Sequence, residues 1–169
     1  MDSVTTAFFT MSHRIEGELT VRTRLSEKLN DPLTDYIELR EARISSLTHD
    51  ANAPAVTWPN ATIPKSGILL ATLDTEEHEN RQSRIDNLQS KTGSQVGAIV
   101  GSIEIYGTGH LRFSGSATRV LSTQLQPFFP ITNATLLLSQ RQADNRIATG
   151  LALVNRDWIR AFTLGESAS

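Results

Sequence analysis

An internal echo constrains this chain more than any other feature of its sequence. Thr23-Arg-Leu-Ser-Glu-Lys-Leu-Asn30, followed by Tyr36-Ile-Glu-Leu-Arg-Glu-Ala-Arg-Ile44, has a counterpart further on. That counterpart is Thr118-Arg-Val-Leu-Ser-Thr-Gln-Leu125, followed by Phe128-Phe-Pro-Ile-Thr-Asn-Ala-Thr-Leu136. Thr23/Thr118, Arg24/Arg119, Leu25/Leu121, Ser26/Ser122 and Leu29/Leu125 coincide around a one-residue insertion at Val120. Tyr36/Phe128, Ile37/Phe129, Leu39/Ile131, Ala42/Ala134 and Ile44/Leu136 keep their apolar character at identical spacing. Gly17-x-Leu19 pairs with Gly109-x-Leu111, an offset of 92 positions that recurs at Tyr36/Phe128. Self-similarity at a fixed period predicts two copies of one structural unit.

The local patterns are those of a β protein. Ile15, Gly17, Leu19 and Val21 alternate with polar residues, which predicts a strand with one wet face. Leu25 and Leu29, four apart, predict a short helix that Asn30-Asp-Pro32 ends, asparagine tolerating a left-handed cap and proline being unable to continue the ladder. Ile37 and Leu39 share one parity and Ala42 and Ile44 the other. That change of phase predicts a bulge, and it recurs between Ile131 and Ala134. Bulges at matching places favour curled, barrel-like sheets over flat sandwiches. Residues 48–66 read as a long polar excursion and Ile68–Leu73 as a short apolar strand. Val96 to Tyr106 reads as a strand, continued by Leu111 and Phe113 after a Gly107-Thr-Gly109 turn. Strands at Thr135–Ser139 and Gly150–Val154 and the segment Trp158–Phe162 close the chain. The expected fold is mainly β: two tandem small β-barrel-like units, Sm-like or SH3-like in size, each with one short helix. The units span residues 1–73 and 93–169, joined by a charged helix or linker at 74–92 whose only large apolar residues are Ile85 and Leu88.

Several of these residues also carry a resemblance. Arg-Leu-Ser-x-x-Leu-Asn from Arg24, Phe129-Pro-Ile-Thr-Asn-Ala134 and Val154-Asn-Arg156 resemble the pattern of a family of small uncharacterised bacterial domains. The family pattern runs arginine-leucine-serine-aspartate, leucine-asparagine, phenylalanine-leucine-proline-leucine-threonine-aspartate-alanine, then valine-asparagine-arginine. The first half matches its opening best, with Glu27 where aspartate is usual, and the second half matches its middle. The resemblance covers about half the chain and implies two divergent copies of such a domain. It implies no catalytic residues, because that family has no established activity.

Composition narrows the function classes. The chain of 169 residues has no cysteine, which excludes disulfides and thiolate metal sites and fits a reducing compartment. The start of the sequence lacks a basic, apolar leader pattern, and no apolar run reaches membrane-spanning length, so a cytoplasmic protein without membrane attachment is expected. Residues 1–92 hold 14 acids and 10 bases, a net −4, and residues 93–169 hold 4 acids and 6 bases, a net +2. These imbalances are too small for a nucleic-acid footprint, which needs a clustered basic face.

No motif announces an enzyme. His13, His49, His78 and His110 lack metal-ligand spacing, with His110 on the repeated Gly-x-Leu strand the best placed of the four. Gly107-Thr-Gly109 lacks the third glycine of a dinucleotide fingerprint, Ser122 lacks a nucleophile elbow, and Glu16/Glu18 read as two wet glutamates on one strand face. No catalytic residue, metal or cofactor is expected. The polar residues of the repeated turn, Arg24, Ser26, Asn30, Arg119 and Ser122 with Gln126, are the candidate ligand-binding set. An arginine beside a helix start can hold an anion, whereas serine and asparagine there can simply cap the helix. Open strand edges on small barrels favour pairing with further copies, and Phe8-Phe9 in an exposed N-terminal strand are the candidate self-association residues. The expected role is a non-catalytic, self-associating structural or interaction module, with a homo-oligomer or another protein as partner. The alternative is a sensor of a small, nucleotide-like anion at the arginine turns, and Sm-like RNA binding ranks third.

Overall fold

The computed structural model describes residues 2–48, 54–73, 92–111, 116–124, 126–141 and 145–165. The expected charged helix or linker lies, except for Thr92, outside the described residues, as does Phe113. Among the described residues there are ten strands: β1 (Asp2–Phe9), β2 (His13–Val21), β3 (Tyr36–Ser46), β4 (Val56–Pro64), β5 (Leu70–Leu73), β6 (Thr92–Val100), β7 (Ile103–Leu111), β8 (Phe128–Leu138), β9 (Arg146–Asn155) and β10 (Ile159–Leu164). Helix α1 (Leu25–Asn30) links β2 to β3, and the helical turn α2 (Ala117–Arg119), running into a π-turn at Val120–Gln124, links β7 to β8. The 3₁₀ turns Lys65–Gly67 and Arg156–Trp158 precede β5 and β10.

All ten strands form one open antiparallel sheet in the order β10-β6-β7-β8-β9-β5-β1-β2-β3-β4. The expected barrels are therefore corrected to a single open sheet with β4 and β10 as its edges. Closing the first half on itself would pair β4 with β5, and closing the second would pair β9 with β10. Instead β5 and β9 pair with each other, Leu70↔Val154 through Leu73↔Leu151, which uses up one closing strand of each half.

Alternation along the strands creates two cores on opposite sides of this sheet. Neighbouring residues of a strand point to opposite faces, so Phe8 joins one core with Leu19, Leu25, Ile37 and Leu39. Phe9 joins the other, with Val100, Ile103, Ile131 and Leu136. The halves interlock: Phe128, Leu151 and Leu153 complete the first-half core, and Phe9, Leu47 and Leu70 complete the second-half core. The middle strands are covered on both faces, which explains why Leu70–Leu73 and Leu151–Asn155 are buried without alternation. The sequence expectation of an exposed N-terminal strand is thereby corrected. Phe8 and Phe9 are both 0% exposed, because β1 sits between β2 and β5 in the interior of the sheet.

The predicted phase changes are real bulges. The β2/β3 register shifts between Glu16 and Glu18, where Glu41 takes φ 49°. The β7/β8 register shifts between Tyr106 and Thr108, where Asn133 takes φ 47°. Each bulge brings backbone against a glycine across the ladder. A Cβ on Gly17 would lie 2.8 Å from Arg40 O, and one on Gly107 would lie 2.8 Å from Thr132 O. Gly17 thus shares its role with Gly107 and not, as the sequence spacing suggests, with Gly109. Gly107-Thr-Gly109 lies within β7 and forms no turn. The real turn splits the expected 96–106 strand at Gly101-Ser102, between the paired residues Val100 and Ile103, with Gly101 at φ 56°. That two-residue hairpin reverses the face parity, leaving Ile99 40% exposed while Ile103 and Ile105 are fully buried.

Candidate functional site

Both arginine turns pack against a core, the second through Val120. Leu25 and Leu29 seat α1 on the first-half core. Arg24, at the helix N-cap, turns onto Glu27 three residues later, with its Nε and one terminal guanidinium nitrogen each 3.1 Å from Glu27 Oε1. Asn30 does not act as a left-handed cap, since the helix ends at Asp31 with φ −67°. Its side-chain amide reaches across to the start of β8 instead. The Phe128 N–H donates to Asn30 Oδ1 at 2.8 Å, and Asn30 Nδ2 donates to Phe128 O at 2.9 Å and to Gln126 Oε1 at 3.2 Å. One primary amide so imitates a strand neighbour for Phe128 and ties α1 to the second half. Ser26 lies half-buried within α1.

In the second turn the cap is Ser116, which sequence reasoning passed over. Its Oγ accepts the Arg119 N–H at 3.3 Å, as an N-cap serine does from the third residue of its helical turn. Ser122 Oγ donates to Arg119 O at 3.2 Å. Of the predicted set, the structure brings together Asn30 and Gln126. It places Arg119 and Ser122 within their own turn and Arg24 on Glu27.

Lys65 was also missed by sequence reasoning. It is only 9% exposed, and its Nζ donates to Asp31 O at 2.9 Å and to Thr34 Oγ1 at 2.8 Å. Those bonds lash the α1–β3 loop to the 3₁₀ turn ahead of β5. Burial lowers the pKa of Lys65 from its ordinary value of 10.5, against the opposing pull of Asp31 and Asp35. Between the lowered folded value and 10.5 the unfolded chain binds the proton more fully than the folded one, so this residue's contribution to stability rises with pH through that window. The urea midpoint of the native chain is therefore expected to gain on that of Lys65→Met as the pH is raised from neutrality toward 10.5. A difference that stays flat would refute the assignment.

The rest of the described surface offers little chemistry. Among the described residues, no group of three His, Asp or Glu side chains is placed to hold a metal ion. His13 Nδ1 lies 2.7 Å from Ser12 Oγ, and His110 Nε2 lies 2.8 Å from Thr132 Oγ1, while His49 and His78 lie outside the described residues. A shallow depression beside the β8 bulge is lined by Asn133, Ala134, Thr135, Ala148, Thr149 and Gly150, none of them titratable. No helix among the described residues is long and apolar enough to cross a membrane.

What the described residues do present is two outer strand edges. On β4, Val56 and Trp58 are 59% and 52% exposed. On β10, Ile159, Phe162 and Leu164 are half-buried against the second-half core, and Arg160, Ala161 and Thr163 are exposed. An unpaired edge carries a row of main-chain donors and acceptors, which recognise another strand by hydrogen bonding and select it by the alternating side chains. No family model matches the chain, and neither the curated proteins nor the solved structures contain a match to it.

Proposed function

We propose that this protein is a non-catalytic, self-associating interaction module made from two divergent copies of one five-stranded unit. The order β5-β1-β2-β3-β4 runs through one half of the sheet and β10-β6-β7-β8-β9 through the other. Each half has its helix between its second and third strands, its bulge where those strands meet, and its 3₁₀ turn before its fifth strand. The main-chain bonds that fasten those turns also correspond: Lys65 N–H to Asp35 O, and Arg156 N–H to Pro127 O, both at 2.8 Å.

The observation that carries the reading is that each end strand of the sheet, β4 and β10, has one side without a partner strand among the described residues, β4 exposing Val56 and Trp58. Buried strands that pair within the chain and open strands that pair between chains then do the same work. An anion-sensing role draws no support from Arg24, whose guanidinium is already held by Glu27. Light scattering across a wide concentration range is expected to show a mass above that of the monomer, rising with concentration. A monomer throughout would refute the proposal.

A further inference from the structure

Resting on that reading, we infer which surfaces join and in what register: the β4 edge of one copy adds antiparallel to the β10 edge of the next. The pattern is already present inside the chain. The junction β5·β9 pairs the fifth strand of one half with the fourth strand of the other. β10 and β4 are the fifth and fourth strands left over, so the same junction can form again only between molecules.

Equivalent positions fix the register. Tyr36↔Pro64 in β3/β4 corresponds to Phe128↔Asn155 in β8/β9, so Asn60–Ile63 correspond to Leu151–Val154. Phe8↔Ala71 in β1/β5 corresponds to Ala98↔Phe162 in β6/β10, so Ala161–Leu164 correspond to Leu70–Leu73. Transferring the β5·β9 pairs gives Ala161↔Ile63, Phe162↔Thr62, Thr163↔Ala61 and Leu164↔Asn60 between neighbouring copies. Asn60–Ile63 is also the longest proline-free run of β4, bounded by Pro59 and Pro64.

The two edges differ, so the contact is head to tail, and it repeats until it closes a ring or runs on as a filament. Trp58 corresponds to Thr149, whose Oγ1 donates to Leu73 O at the end of the internal junction. In the outer junction the exposed indole of Trp58 therefore lies beside Leu164 and covers it. The outer contact is also the weaker of the two. Leu70 and Leu153, which reach into the opposite core, are replaced by Ala161 and Thr62. Pro64 lacks the N–H that its counterpart Asn155 donates to Leu69 O at 2.9 Å. Association is accordingly reversible, whereas the internal junction is permanent.

Engineered cysteines test the register, because the natural chain has none. Asn155 N–H points at Leu69, so positions two apart along β9 face β5, and Thr163↔Ala61 falls at a closely spaced pair without mutual hydrogen bonds, suited to a disulfide. Mixed under mild oxidant, Thr163→Cys and Ala61→Cys proteins are expected to give a disulfide-linked heterodimer as the main product. The offset mixture of Ala161→Cys with Ala61→Cys is expected to give at least tenfold less. Thr62→Pro removes an outward-facing N–H without touching the β3 ladder. It is expected to reduce the scattering mass to that of the monomer, its circular dichroism showing that it still folds. An oligomer that yields no 163–61 cross-link overturns the register while leaving self-association standing. A native chain that is monomeric throughout overturns both.

Discussion

Phe9→Ala is expected to destabilise the whole chain by about 3–5 kcal/mol, the usual cost of emptying a buried aromatic site. The side chain is 0% exposed and packs in the second-half core, although its strand belongs to the first half. The loss is therefore shared: both halves should unfold together at a lower denaturant midpoint, by circular dichroism and by the combined fluorescence of Trp58 in the first half and Trp158 in the second alike. Phe8→Ala should cost about as much through the opposite core. Retention of the native midpoint in either variant, or two separated transitions, would contradict a sheet whose cores are completed from both halves.

Alanine at Gly107 is the second large effect. Its Cβ would sit 2.6 Å from Ile131 Cγ2 and 2.8 Å from the Thr132 carbonyl oxygen, and the latter belongs to the bulged backbone and cannot swing aside. Overpacking of this kind costs about 1–3 kcal/mol, and Gly17→Ala, with Arg40 O at 2.8 Å, should behave the same way. The residue across each bulge predicts the opposite sign. Glu41 holds a left-handed φ of 49°, so Glu41→Gly should gain about 0.5–1 kcal/mol after the added chain entropy of glycine is deducted. Asn133→Gly should gain less, because asparagine tolerates that conformation. Thermal melts of the four variants test this directly; a neutral Gly107→Ala would sink the account of the bulges.

Much of the local plan could be read from residue order. The alternation of Ile15 to Val21 gave a strand, Leu25 and Leu29 a short helix, and the phase slips near Leu39 and Ile131 the two bulges. Such features depend on neighbours within a few residues. The open sheet was not legible, because the pairing of Leu70–Leu73 with Leu151–Val154 joins stretches with no local signal of each other. Their only trace was that both runs are apolar without alternation, the mark of strands covered on two sides. The Gly101-Ser102 hairpin was hidden inside an apolar run, and the glycines of β7 drew attention from it. At the turns, Arg24, Ser26 and Asn30 were correctly placed around a helix, but their partners were not. Glu27 is near in sequence, whereas Asn30 spends its amide on Phe128, a contact only the folded sheet creates.

The β5·β9 junction has a kinetic consequence. β6 and β7 meet through Val100↔Ile103 and β1 and β2 through Phe9↔Arg14, both short closures that form early. The union of Leu73 with Leu151 bridges far more chain and must come late. Until it does, Leu151-Ala-Leu-Val154 stands as an uncovered aliphatic edge on a half-assembled molecule. A nascent chain is thus most prone to capture by its own kind in the interval before its two halves have met.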